Sequence, residues 1–179
     1  MLKNINGRME RDRILNIEFR ILNYPKFLIP YSCMKIFIGA DHGGFKLKEQ
    51  LKVYLEEKWN VVVDCGAYTL DPKDDYPDFA IPVSRGVVKT RASRGVLICR
   101  SGLGMNIVAN RFPKIFAVLT DNTKLLAMVR EHEDVNVLCL ASDFITVQKA
   151  KILIDVFLST PFSGEARHLR RLKKIARIK

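Results

Sequence analysis

The sequence predicts an α/β domain: a five-stranded parallel sheet covered by helices on both faces. Short runs rich in Val, Ile and Leu recur five times, as expected of strands buried on both faces. Segments with helical spacing of apolar residues lie between them, which implies successive βαβ units. A third observation sets the scale. The chain has 179 residues, 48% of them hydrophobic, enough for one domain with its own core.

The elements follow in order. Residues 1–33 have mixed character, with Pro25 and Pro30 near their end. They are read as an N-terminal extension, disordered or an upstream translation start, ahead of a domain spanning 34–179. Strands are predicted at 35–39, 60–64, 94–99, 115–119 and 135–140. Helices are predicted at 45–58, where Leu47, Leu51, Tyr54 and Leu55 share a face, and at 78–90, 104–111, 122–131 and 146–158. Asp121 is the expected N-cap of the fourth of these. In the tail, 165–178, Leu169, Leu172, Ile175 and Ala176 recur at helical intervals between Arg and Lys. That amphipathic helix is expected to dock on a second subunit.

The net charge of +11 is carried by the ends of the chain. Residues 1–33 hold six Lys/Arg against three acids and residues 164–179 hold seven against one; between them the balance is seventeen against fifteen. Such ends read as solvated faces, and nucleic acid is not expected as a partner. No apolar run approaches the ~20 residues of a membrane span, and no signal-type segment opens the chain, so a cytoplasmic protein is expected. The four cysteines, Cys33, Cys65, Cys99 and Cys139, fit neither a zinc site nor a disulfide framework. Cys65 and Cys139 read as small buried hydrophobes.

In a parallel α/β sheet, ligands collect at the carboxyl ends of the strands. The chemistry-bearing residues are expected there. They are Asp41-His42-Gly43-Gly44 after the first strand, Asp75-Tyr76-Pro77 after the second, Cys99-Arg100-Ser101-Gly102 after the third, and Glu131-His132-Glu133-Asp134 at the end of the helix that follows the fourth. The third segment says most. A strand ends on a thiol, a hydroxyl follows, and Gly102 and Gly104 open a helix. Such a turn surrounds a hollow with backbone N–H groups, where an anion can sit. The turn lacks G-x-G-x-x-G and G-K-[ST], so a nucleotide is disfavoured. Thiol, hydroxyl, amides, histidines and a carboxylate are parts for moving a proton next to a carbonyl on a phosphorylated substrate, where N–H donors meet the developing enediolate.

The stretch from Met34 to about Arg171 resembles the ribose-5-phosphate isomerase B family, which also includes the galactose-6-phosphate isomerase subunits. The resemblance rests on Gly39-Ala-Asp-His-Gly-Gly-Phe-Lys-Leu-Lys48, Asp75-Tyr-Pro77, Ile98-Cys-Arg-Ser-Gly-Leu-Gly-Met105, Ala109-Asn-Arg111, His132 with Asn136-Val137, and Arg167-His168 followed by Arg171. It implies a Rossmann-like three-layer fold and a homodimer, or a dimer of such dimers, with each site using residues of both subunits. It implies metal-free, cofactor-free interconversion of ribose 5-phosphate and ribulose 5-phosphate, in the non-oxidative branch of the pentose phosphate pathway. By the same resemblance, Cys99 is the base between C1 and C2, and Ser101 helps move protons between the two oxygens. Ser101, Gly102, Leu103, Gly104, Met105 and Asn106 hold the enediolate. Asp41 and His132 open the sugar ring. His42, Arg167 and Arg171 meet the phosphate, and Tyr76 lines the pocket.

Three positions depart from the family's pattern: Arg100 where a small residue is usual, Glu133 for Asn, and Asp143 for Arg. They are counted with the substrate-binding set. Arg100 is expected to compensate, either by pairing with Glu133 across the dimer interface or by replacing the guanidinium missing at 143. Two rivals stand beside this reading. One is an isomerase of a six-carbon sugar phosphate, of the allose 6-phosphate or galactose 6-phosphate type. The other is a non-catalytic sugar-phosphate or nucleic-acid binder on the same fold.

Overall fold

The structure is a computed structural model that describes residues 34–58 and 61–178. The extension expected over 1–33, with Cys33, lies outside the described residues. Five strands form one parallel sheet: β1 (Ile36–Ala40), β2 (Val62–Asp64), β3 (Arg94–Cys99), β4 (Ala117–Leu119) and β5 (Val137–Ala141). Among the described residues six helices lie around it: α1 (Phe45–Lys58), α2 (Pro77–Lys89), α3 (Leu103–Ala109), α4 (Thr123–Glu133), α5 (Val147–Ser159) and α6 (Ala166–Ile175). Every predicted strand and helix is present, two of them (45–58 and 94–99) with unchanged ends and the rest with ends moved by up to three residues.

Strand alternation explains the layers. Ile36, Ile38, Val96, Ile98, Leu138 and Leu140 point to one face and pack under α1, α4 and α5. Phe37, Leu97, Cys99, Val137 and Cys139 point to the other and pack under α2 and α3. The central strands β1 and β5, and β3 beyond Arg94, are therefore free of charged residues, as a sheet with both faces covered requires.

The strand order is β2-β1-β3-β5-β4. The chain goes outward from β1 to β2, then returns to place β3 on the other side of β1. The crevice at this reversal, above the carboxyl ends of β1 and β3, is where ligands bind in such sheets. Two loops meet there, the one after β1 carrying Asp41-His42 and the one after β3 carrying Cys99-Arg100-Ser101.

Polar ties hold the helices in place. Lys48 of α1 is fully buried and donates to Asp64 at the end of β2 at 2.8 Å and to Glu49 at 2.6 Å. The hydroxyl of Tyr54 donates to Asp155 of α5 at 2.6 Å. The cap of α4 differs from expectation. Asn122, not Asp121, has extended backbone and accepts from the amides of Lys124 and Leu125 at 3.0 Å each. Asp121 stands one residue too early for that bond. The tail helix α6 seats His168, 1% exposed, against α4 of its own chain.

Candidate active site

Cys99 ends β3 and is 5% exposed. Its sulfur accepts the Gly102 N–H at 3.1 Å. Gly102 has φ +71°, a left-handed conformation that a side chain strains, and a Cβ there would stand 2.5 Å from Leu119. The turn therefore closes tightly over the thiol. The first helical bond of α3 runs from the Asn106 N–H to the Gly102 carbonyl, so the N–H groups of Leu103, Gly104 and Met105 precede the ladder. That of Leu103 reaches Ser101 Oγ at 3.4 Å. Tyr76 lies across this turn: a Cβ at Gly104 would sit 2.7 Å from its ring.

The loop after β1 supplies the opposite wall. Asp41 is 6% exposed, and its Oδ1 accepts the Gly44 N–H at 3.0 Å. Burial pushes its carboxyl above the ordinary aspartate range, against the Gly44 amide and His42. His42 bonds Asp74 through its ring Nδ1 at 2.7 Å and through its backbone N–H at 2.9 Å. That hydrogen bond raises the imidazole above its usual pKa.

The end of β5 ties both loops together. Ser142 Oγ lies 2.8 Å from the Gly43 carbonyl and 3.2 Å from that of Cys99. Asp143 accepts from Arg100 Nε at 2.9 Å, and its own N–H donates to the Arg100 carbonyl at 3.1 Å. The stem of Arg100 lies on Gly43, where a Cβ would meet its Cγ at 2.2 Å. Arg100 thus has a partner on its own chain, the carboxylate at 143.

The second half of the expected site lies elsewhere. Asn136, four residues beyond His132, accepts the Gly95 N–H at 2.9 Å and donates its own N–H to the Phe116 carbonyl at 3.0 Å. Gly95 and Phe116 mark the amino ends of β3 and β4. The expectation that the helix after β4 brings His132 to the carboxyl edge is therefore corrected. The helix runs antiparallel to the strands, and its last turn arrives at the opposite edge. Four residues of β3 separate the edges, about 13 Å at ~3.3 Å per residue.

His132 is part of a cluster there. Its ring stacks on His168 with centroids 4.3 Å apart, and His168 Nδ1 meets Ser163 Oγ at 2.8 Å. Burial pushes the His168 imidazole below its usual pKa, with His132 adding to the effect. Glu133 is half-buried beside it. Arg167 is exposed and pairs with Glu165 at 2.8 Å; Arg171, one turn further along α6, is exposed. Buried Arg130 fixes the corner through Val135, Asp134 and the Thr160 carbonyl.

The structure thus gathers Asp41, His42, Tyr76, Cys99, Arg100, Ser101 to Asn106 and Asp143 at one edge. It gathers His132, Glu133, Arg167 and Arg171 at the other. Asp74 and Ser142 were not singled out by sequence reasoning; Asp74 stood beside the Asp75-Tyr76-Pro77 segment as a plausible signal, Ser142 beside none. Cys139 is buried as expected, whereas Cys65 is only partly buried at the edge of the core; burial raises the Cys65 thiol pKa to about 11 and that of Cys139 further still. Among the described residues, no group of three or more His, Cys, Asp or Glu converges as a metal site, and no helix is long and apolar enough to cross a membrane.

Residues 36–175 match the model of a family described as Ribose/Galactose Isomerase. A Mycoplasma pneumoniae protein named "Probable ribose-5-phosphate isomerase B" is 39% identical over 140 residues, 78% of this chain and 91% of the relative. A crystal structure of a ribose 5-phosphate isomerase from Thermotoga maritima superposes with a TM-score of 0.77 at 40% identity, covering 82% of this chain and 99% of that one. The Mycoplasma genitalium ribose-5-phosphate isomerase B, solved with ribulose 5-phosphate bound, gives 0.77 at 39% identity, with 82% and 96% covered.

Proposed function

The chain belongs to the ribose/galactose isomerase family, and on that premise we propose that it interconverts ribose 5-phosphate and ribulose 5-phosphate through an enediolate. The reaction belongs to the non-oxidative pentose phosphate pathway. The observation that carries the reading is Cys99 Sγ under the Gly102 amide, at the reversal point of the sheet and beside buried Asp41.

The steps follow from the groups present. Asp41, with His132, moves the proton between the ring oxygen and the anomeric hydroxyl, and the furanose opens. A carboxyl raised by burial suits that exchange. Cys99 as thiolate takes the C2 proton of the aldose and returns it to C1. The electron pair passes to the carbonyl oxygen, where the amides at the head of α3 meet it, a contribution of a few kcal/mol per donor. Ser101 carries the proton between the two oxygens. His42, Arg167 and Arg171 hold the phosphate, which fixes the sugar's carbon chain against the sulfur.

The working unit is a homodimer. One subunit holds Cys99 and Asp41 at one edge of its sheet and His132 and Arg167 at the other, so no single copy surrounds a five-carbon substrate with all of them. A second copy, turned end for end by a twofold axis, supplies the missing half to each site. Exposed Leu103 and Ile107, one turn apart on α3, offer an apolar contact surface directly beside the thiol.

Co-expression of Cys99→Ala and His132→Ala chains tests both parts. Each variant alone should lose at least ~10³-fold in activity on ribose 5-phosphate. Random reassortment makes half the dimers mixed, with one intact site in each, so about a quarter of the wild-type activity should return. A wild type inactive on ribose 5-phosphate removes the reaction, and an active Cys99→Ala removes the base. No recovery on mixing removes the shared site.

A further inference from the structure

Asp74 lies outside every motif of the site, yet its position is specific. It belongs to the loop between β2 and α2, which reaches across to the loop after β1. Its Oδ1 accepts two hydrogen bonds from one residue, the His42 backbone N–H at 2.9 Å and the ring Nδ1 at 2.7 Å. Two bonds to one oxygen fix both the start of the His42 side chain and the orientation of its ring. Nδ1 is then the engaged nitrogen, and Nε2 is left for another partner. The His42 side chain is 32% exposed and that of Asp74 only 10%. The other carboxylate oxygen, Oδ2, is buried with no hydrogen-bond partner among the described residues.

That orphaned oxygen decides between two roles. A purely structural clasp needs only a neutral acceptor, and an asparagine carbonyl oxygen in the same place would serve. Burying a charged oxygen without a partner is costly. The charge is compensated if the imidazole it touches is itself charged. Other groups face His42 as well. Asp41 stands next to it in its own loop, and Arg100 arrives from the loop after β3 with its stem on Gly43, tied to Asp143. The carboxylates of Asp41 and Asp74 both favour the imidazolium.

We propose that Asp74 is a positioning residue for phosphate binding, holding His42 as an imidazolium with its Nε2–H presented to the substrate's dianionic phosphate. The inference rests on the reading that His42 meets that phosphate. It adds a residue which neither touches substrate nor belongs to the family motifs quoted above. The raised pKa of His42 agrees in sign: the hydrogen bond to Asp74 is its largest cause, with burial opposing it.

Asp74→Asn tests it, because the amide keeps an acceptor oxygen and the shape while removing the charge. The sign is as follows. With Asp74 present His42 stays protonated to higher pH; without the charge it loses its proton earlier as pH rises. The variant should show a KM for ribose 5-phosphate raised about tenfold at pH 8 and little changed at pH 6. Its kcat should stay within about twofold. The His42 ring titration, followed by NMR, should move to lower pH, and inorganic phosphate should bind more weakly at pH 8. On a His42→Asn background, Asp74→Asn should add nothing. Unchanged titration and unchanged phosphate binding overturn the proposal. So does an equal loss at every pH, which a merely structural clasp would give. The NMR and phosphate arms need no turnover, so they judge Asp74 even if ribose 5-phosphate proves not to be the substrate.

Discussion

Replacing Gly104 with alanine puts a methyl group against the ring of Tyr76. The added carbon would stand 2.7, 2.8 and 3.0 Å from three atoms of that ring. Carbon atoms rest at about 3.5–4.0 Å, so the ring must retreat by roughly 1 Å. It has room to do so, because Tyr76 is 38% exposed at the start of α2. The effect on stability is therefore small. Alanine in the first turn of α3 recovers roughly 0.5–1 kcal/mol of backbone entropy, and displacing an exposed ring costs a similar amount. The effect on activity is large, since Tyr76 and the amides of Leu103 to Met105 flank the same hollow. A misplacement of about 1 Å in such a site costs on the order of 10²-fold. Gly104→Ala should lower kcat/KM on ribose 5-phosphate by ~10–100-fold, with unfolding free energy in urea within about 1 kcal/mol of wild type. On a Tyr76→Ala background these three close contacts are gone, and the further cost of the methyl should vanish. Full activity of the single variant, or strictly additive losses in the double, would refute the argument that the ring is held by its contact with Gly104.

Other outcomes follow from the same geometry. Arg100 and Asp143 are 68% and 42% exposed, so Asp143→Ala should cost at most about 1 kcal/mol in stability while altering KM through the freed guanidinium; denaturation and steady-state kinetics separate the two. Arg100→Gly combined with Glu133→Asn should give additive changes in kcat/KM, because the carboxylate that engages Arg100 is Asp143; strong coupling would restore the pairing with Glu133. Lys48→Ala should lose roughly 1.5–3 kcal/mol by urea denaturation, since it removes a fully buried ammonium from Asp64 and Glu49 while Lys52 still compensates both carboxylates. His168 has its pKa lowered in the folded state, so its contribution is present above the ordinary imidazole value and is lost as pH falls through the folded one. Melting curves of wild type between pH 7 and 5 should therefore show an acid limb that is shallower in His168→Gln.

Much of this molecule was legible in the chain because periodicity reports directly on burial. The runs at 94–99 and 135–140 are apolar on both faces because helices cover both faces, and β3 and β5 appear where those runs stand. The glycine at 102 was legible for a similar local reason, since its φ of +71° in a turn over a thiol favours glycine, whereas Gly104 answers to the ring of Tyr76. What escaped depends on direction and on distance along the chain. The parallel connection from β4 to β5 itself sends the last turn of α4 to the amino edge, so His132 stands across the sheet from Cys99 and not at the carboxyl edge where it was expected. Arg100 and Asp143 are 43 residues apart, and Asp74 and His42 are 32 apart. Such pairs exist only after β3, β5 and the β2–α2 loop have been brought together. The cap at Asn122 was missed by one residue, within the uncertainty of helix ends read from pattern.

The separation of the two half-sites also has a kinetic meaning. If the proposed shared site holds, an isolated subunit keeps its sheet, its core and Cys99 beside Asp41, but has no His132 at that edge. On that proposal folding and turnover are decoupled, with turnover following a bimolecular encounter. On serial dilution below the dissociation constant of the dimer, specific activity should fall in proportion to protein concentration while the circular dichroism per residue stays constant. Expression level then acts on flux twice, through the number of chains and through the fraction of them that have met.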